Sequence, residues 1–172
     1  MTTQICYFDT PDSTQNWQAI NDGVMGGVSV SRLHFDSVGH AVFEGEVSLE
    51  NNGGFASVRN SQLDLGSAET TAYRLTVWGD GHTYKFNLRT ESGFDGVNYQ
   101  ASFAPAPGLW IEITLPVTAF VPSFRGRLVQ GAPALRPGAV RQVGLMISDK
   151  QDGNFRLMVK TIEALSSFNA RR

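Results

Sequence analysis

Along most of the chain apolar and polar side chains alternate with a period of two, the repeat of a strand that buries one face. Tyr84, Phe86 and Leu88 alternate with Lys85, Asn87 and Arg89. Val97, Tyr99, Ala101 and Phe103 alternate with Asn98, Gln100 and Ser102. Ile111, Ile113 and Leu115 alternate with Glu112 and Thr114, and Phe155, Leu157 and Val159 with Arg156, Met158 and Lys160. Phe43, Val47 and Leu49 share the pattern with Glu44, Glu46 and Ser48. The runs are short and stop at turn chemistry such as Gly79-Asp80-Gly81, Ser92-Gly93, Pro107-Gly108 and Asp152-Gly153. The pattern predicts about ten strands, near 4–9, 28–35, 40–49, 55–61, 72–78, 83–90, 97–103, 109–115, 140–148 and 154–164. Nothing between them carries a helical period. The predicted class is all-β, an antiparallel sandwich or barrel, in a single domain over residues 1–172.

Alternation also predicts a polar surface. If the strands at 83–90, 97–103 and 109–115 adjoin, their second faces present Lys85, Asn87, Arg89, Asn98, Gln100, Ser102, Glu112 and Thr114. Trp78 and Trp110 fall on the parity of such positions. Two readings follow: a solvated sheet face, or a shallow groove with aromatic platforms for a sugar or an extended peptide. The stretch from Pro116 to Pro137 breaks the rhythm with Pro116, Pro122, Pro133 and Pro137. It is expected to be one long connection. Either it packs on the sandwich, or its Phe120, Phe124, Arg125 and Arg127 clamp a partner.

Composition narrows the function. With 172 residues, 41% of them hydrophobic, the chain can bury a sizeable core without staples. Fourteen Lys+Arg against sixteen Asp+Glu give a formal charge of −2, so no basic field exists to hold nucleic acid. Cys6 is the single cysteine. That rules out an internal disulfide and a Cys-rich zinc site, and a buried position is expected for it. No run of about 18 apolar residues is present to span a bilayer, and the first residues lack the form of a signal peptide. The expected compartment is the bacterial cytoplasm, with any membrane association made through a partner.

Catalytic signatures are sparse. His34, His40 and His82 lack helical metal spacing, and Gly-x-Ser-x-Gly is absent. Asp149-Lys-Gln-Asp152-Gly-Asn154 lacks the full calcium-loop ladder and reads as a hairpin turn. No catalytic residue, metal ligand or cofactor is predicted. The richest segment is Trp17-Gln-Ala-Ile-Asn21-Asp22-Gly23-Val-Met25-Gly26-Gly27-Val-Ser29. Asn21-Asp22-Gly23 is turn chemistry, and Gly26-Gly27 before a strand suggests a bulge or a close backbone approach. It is not a phosphate loop, because no helix follows and no Gly-Lys-Ser/Thr is present. A second segment, Asn51-Asn52-Gly53-Gly54-Phe55-Ala-Ser57-Val-Arg59, predicts a tight turn between two strands. Arg59 is expected to be buried and paired with Asp22, as a fold-locking pair or as part of a binding site.

The order of these motifs carries a resemblance. Trp17, Asn21-Asp-Gly-Val-Met-Gly-Gly27, Phe43-x-Gly45-x-Val47-Ser-Leu49, Asn52-Gly-Gly-Phe-Ala-Ser-Val-Arg59 and Gly79-Asp-Gly81 come first. Tyr99, Trp110, Phe124-Arg-Gly126, Gly144-Leu-Met-Ile-Ser-Asp149 and Gly153-x-Phe155-x-Leu157 follow. From about Tyr7 to Ile162 the chain resembles the complex I intermediate-associated protein family, also described as the NADH:ubiquinone oxidoreductase intermediate-associated protein of thirty kilodaltons. The resemblance implies a jelly-roll β-sandwich, galactose-binding-domain-like, and a non-enzymatic role in assembling respiratory or photosynthetic membrane complexes. The loops at 21–27, 52–59 and 79–82 would then gather at one end of the sandwich, with Asp22 beside Arg59. The candidate partner-binding residues are Trp17, Asn21, Asp22, Met25, Asn52, Phe55, Arg59, Asp80, Arg89 and Tyr99. The expected partner is a protein assembly intermediate. A carbohydrate held by a jelly-roll module is the alternative, and a small-ligand cleft joining Asp22, Arg59, Arg89 and Tyr99 a third.

Overall fold

The computed structural model describes residues 2–61, 67–90, 96–124 and 127–166. Thirteen strands form two antiparallel sheets. One sheet has six strands in the order β3 (Val30–Asp36), β4 (His40–Val47), β13 (Gly153–Ser166), β6 (Thr70–Trp78) and β9 (Trp110–Pro116). Its sixth strand, β1 (Thr2–Tyr7), pairs with β13 beyond the end of β4. β13 is 14 residues long, so one of its edges serves β4 with its first half and β1 with its second. The other sheet runs β11 (Arg127–Leu128), β10 (Val121–Phe124), β8 (Asn98–Phe103), β7 (Tyr84–Arg89), β12 (Gln142–Ile147), β5 (Ala56–Asn60) and β2 (Trp17–Ala19). Short 3-10 turns are the helical elements among the described residues.

The period-two pattern does what it predicts. Tyr84, Phe86 and Leu88 of β7 and Leu75 and Val77 of β6 turn into the space between the sheets and are fully buried. Phe43 meets Phe155 at 4.9 Å between ring centroids, and Tyr73 meets Phe120 at 5.7 Å. Edge contacts of this kind add to the area they bury. Cys6 is buried in the same core.

Four expectations need correction. The strand at 110–116 pairs with β6, in the sheet opposite β7 and β8. Glu112 and Thr114 therefore leave the polar face drawn above; alternation fixed their parity but could not choose their sheet. The Pro116–Pro137 stretch is not one connection, because β10 and β11 extend the seven-stranded sheet from within it. Phe120 is buried and Phe124 exposed, while Arg125 lies outside the described residues. The turns at 48–55 and 148–152 are not hairpins. Each carries the chain from one sheet to the other, β4 to β5 and β12 to β13. Turn residues mark a reversal and do not say whether the next strand joins the same layer.

Candidate functional site

Crossings between the layers concentrate at one end. β4 ends there and β5, β3 and β13 begin there, so the segments 20–29, 48–55, 79–83 and 148–152 meet. At their centre is Asp22, fully buried. One carboxylate oxygen accepts the backbone N–H of Ser29 at 2.9 Å. The other accepts the Ser29 hydroxyl at 2.6 Å, the Gly54 N–H at 2.7 Å and the Phe55 N–H at 3.3 Å. The Ser29 hydroxyl oxygen in turn accepts the N–H of Ser48 at 2.9 Å. A single carboxylate thus ties the 20–29 segment to the 48–55 segment.

The glycines of both motifs have a reason here. A Cβ at Gly27 or at Gly53 would overlap the Asp22 carboxylate. Gly26 holds φ +89, which an L side chain strains to adopt. Burial by itself would raise the pKa of Asp22. The bonds from Ser29, Gly54 and Phe55 outweigh it and hold the carboxyl below its ordinary value.

Asn21 and Asp80 act in the same way. The Asn21 side-chain oxygen accepts the Ser31 hydroxyl at 2.6 Å and the Ser57 N–H at 3.0 Å, joining β3 to β5. Asp80 accepts the Arg156 N–H at 2.7 Å, the Tyr84 hydroxyl at 2.9 Å, and both the N–H and a ring nitrogen of His82. Its carboxyl too lies below its ordinary value, since these bonds outweigh burial. Among the exposed residues of the locked loops, which also include Glu50, Asn51, Asp149 and Lys150, is a set of apolar side chains. Val28 is 49% exposed, Val30 57% and Leu49 42%, and Phe55 is half-buried beside them. Val28 and Val30 flank Ser29, and Leu49 follows Ser48, so the Ser29–Ser48 bond keeps the three together.

Next to this surface a groove of about 610 Å³ opens across β3, β4 and β13. Val30 forms its aliphatic wall, and Arg32, Glu44, Glu46, Asp80, Asn154 and Arg156 supply its polar lining. Glu44 is held by Arg32 at 3.1 Å and by a short contact with His34.

The predicted residues divide into three groups. Asn21, Asp22, Phe55 and Asp80 come to the loop end. The backbone at Met25 and Asn52 lies in the same loops, and their side chains lie outside the described ones. Trp17 and Tyr99 are core residues: Trp17 packs on Phe8 at 5.9 Å, and the Tyr99 hydroxyl donates to the Pro133 carbonyl at 2.8 Å. Arg59 and Arg89 lie on the face of the seven-stranded sheet turned away from the core, with Asn87, Asn98 and Gln142. Arg59 is therefore not paired with Asp22. Asp22 lies opposite Phe55, four positions along β5 from Arg59, and its oxygens are taken up by the loops. Burial, with the charge of Arg89 acting in the same direction, brings the Arg59 pKa down to about 10. Among the described residues the cleft that holds Arg59 and Arg89 includes neither Asp22 nor Tyr99. Ser29 and Gly53, central to the site, were not among the predicted residues; the doubled glycines at 26–27 and 53–54 were the signal for them.

The tryptophans sit on the opposite sheet. Trp78 and Trp110 are cross-strand partners on the outer face of the six-stranded sheet, stacked with centroids 6.4 Å apart. Lys160 lies 4.5 Å over the Trp110 ring and His40 meets its edge at 5.4 Å. Trp110 is thus engaged by Trp78, Lys160 and His40, Trp78 is stacked on Trp110, and both are partly exposed.

Such a sandwich, with loops stapled by the carboxylates of Asp22 and Asp80, is a jelly roll of the galactose-binding-like class. The carbohydrate-binding module of family 11 from the cellulase Lic26A-Cel5E of Clostridium thermocellum superposes with a TM-score of 0.73. That match covers 97% of this chain and 95% of the module at 13% identity. A family 29 carbohydrate-binding module gives 0.56 at 12% identity. By sequence the chain belongs to the complex I intermediate-associated protein 30 family, whose model matches residues 6–159. The mitochondrial protein of that name from Drosophila melanogaster is 25% identical over 88% of this chain, a span that is 59% of the fly protein. The Neurospora crassa protein is 22% identical over 96% of this chain and 74% of its own length. Among the described residues no helix is long and apolar enough to cross a membrane.

Proposed function

We propose that this chain is a non-enzymatic binding module that holds a protein client during assembly of a membrane complex, and that it grips the client with the loop end. The family supports the assembly role, since relatives bear the name complex I intermediate-associated protein. The observation that carries the location is the exposed trio Val28, Val30 and Leu49, mounted on loops that a fully buried carboxylate locks together. Apolar side chains on preordered loops make contact without the entropy cost of ordering the surface on binding. The test is affinity purification from the native organism with the wild-type protein and with a Val28→Asp, Leu49→Asp double variant. Respiratory-complex subunits should accompany the wild type and be lost from the folded variant. Equal recovery with both overturns the reading.

A carbohydrate reading draws on the family 11 likeness, which extends over nearly the whole chain. Against it, Trp78 and Trp110 stack on one another, Lys160 lies over the Trp110 ring, and both tryptophans are only partly exposed. A glycan array on which the protein binds a sugar, with loss on Trp78→Ala, would favour that reading over the protein client.

A further inference from the structure

We propose that the groove beside the loop end holds an extended segment of the client that carries a basic and an acidic side chain two positions apart. This rests on the protein-client reading and names the chemistry of the segment. The groove runs over β4 and β13, whose backbones are already paired with each other, so only side chains are left to recognise a ligand. Of the six polar side chains named in its lining, half are engaged. Glu44 is bonded to Arg32 and His34, and Asp80 to His82, Tyr84 and the Arg156 N–H. Three side chains are not: the Glu46 carboxylate, the Asn154 amide and the Arg156 guanidinium make no side-chain hydrogen bond or ion pair among the described residues.

Their register sets the spacing. Glu46 lies opposite Asn154, and Arg156 lies opposite Glu44, two residues further along both strands. All project from the outer face, because Phe155 and Leu157 between and beyond them point into the core. The acidic and the basic group are thus offset by two strand steps, about 6.5–7 Å along the strand axis. An extended chain lying along β13 presents alternate side chains on one side at that same interval. A Lys or Arg of the client would face Glu46 while an Asp or Glu two residues away faces Arg156. Between them the Asn154 amide, at once donor and acceptor, suits a backbone peptide group. Val30 offers an aliphatic contact, and Phe155, the aromatic residue lining the groove, is buried against Phe43 and presents little ring surface to a sugar. A polypeptide fits this lining better than a glycan does.

The experiment pans the immobilised full chain with a phage library of random dodecapeptides and measures the enriched peptides by fluorescence anisotropy. Enriched sequences should share a basic and an acidic residue two positions apart. The Glu46→Lys, Arg156→Glu double variant should weaken them at least about tenfold through like-charge contacts. A peptide with the two charges exchanged should regain binding to that variant. Both substitutions are on exposed side chains, and thermal melting of the variant checks its fold. Absence of enrichment, equal binding to wild type and variant, or displacement of the peptides by a mixed-linked β-glucan tetrasaccharide overturns the proposal. The co-purification test alters only Val28 and Leu49 and leaves Glu46 and Arg156 in place, so it can succeed while the groove proposal fails, and the reverse.

Discussion

The Asp22 carboxylate and the Ser29 hydroxyl stand 2.6 Å apart beneath the loop end, and both are buried. Seven residues of glycine-rich chain are folded back to make that contact, and the same carboxylate reaches across to Gly54 in the other sheet's approach. Asp22→Ala would take the acceptor from the N–H groups of Ser29, Gly54 and Phe55 and leave the Ser29 hydroxyl only the Ser48 carbonyl at 3.3 Å. Hydrogen bonds to a charged group contribute about 1.5–3 kcal/mol each and an unsatisfied buried donor costs about 1–3 kcal/mol, so the loss should be a large fraction of a domain's ~5–15 kcal/mol. Asp22→Asn keeps one acceptor oxygen and should cost less than Asp22→Ala. Urea denaturation of the three proteins checks the order, and melting of the loop end without the rest would show as a lowered m-value.

The same residue fixes a pH dependence. Asp22, Asp80 and Glu44 all have carboxyls held below their ordinary values, in each case by hydrogen bonds that outweigh burial. For Glu44 the donors are His34 and Arg32. Between the folded and the unfolded pKa, the unfolded chain binds more protons, so stability there rises with pH. The contribution is complete above the ordinary carboxyl range near pH 4 and drains away as pH falls through the lower folded values. Burial also holds the His40 imidazole below its ordinary value of 6.5, so chemical melts between pH 7 and pH 2.5 should show a shallow fall below pH 6.5 and a steeper decline in the carboxyl range. The decline should be shallower in Asp22→Asn, from which one of the three groups has been removed.

Glycines give a sharper contrast. Gly27→Ala and Gly53→Ala each drive a Cβ into the Asp22 carboxylate, which has no room to move while its bonds are kept. Each should destabilise by about 1–3 kcal/mol, the range of overpacking in a tight site. Gly23 lies in the same loop with nothing within 4 Å of an added Cβ and with an ordinary φ. Gly23→Ala should change stability by no more than about 0.5 kcal/mol. Thermal melts of the three single variants test the pair against the control.

How much of this was legible beforehand follows from what each signal encodes. Alternation placed Tyr84, Phe86 and Leu88 in the core and Asn87 and Arg89 on the other face, because a strand's two faces differ in burial. It could not assign β9 to a sheet, since Ile111, Ile113 and Leu115 would read alike in either layer. Three-residue β2 and two-residue β11 are too short to show a period at all. The motif loops were legible as loops, and their meeting at one end as well. The error lay in the partner of Asp22. Opposite charge suggested Arg59, whereas a buried carboxylate beside doubled glycines is served by backbone N–H groups, which carry no letter in a sequence.

Cys6 supplies a readout of the whole sandwich. It is 9% exposed at the start of the chain, in β1, the strand that β13 holds on its second half. Burial raises the thiol pKa to about 12, with a contact from Trp17 acting weakly the other way. The reactive species is the thiolate, so at pH 8 the native thiol is both protonated and covered. Reaction with a disulfide reagent such as dithionitrobenzoate should be slow in the native protein and immediate in 6 M guanidinium chloride. Because the native rate then reports opening, Asp22→Ala should accelerate it in proportion to its loss of global stability if β1 is released only with the whole core. A native rate unchanged in that variant would mean that β1 detaches from β13 by itself. The cysteine would then report fraying of an edge strand, independent of the loop end at which Asp22 acts.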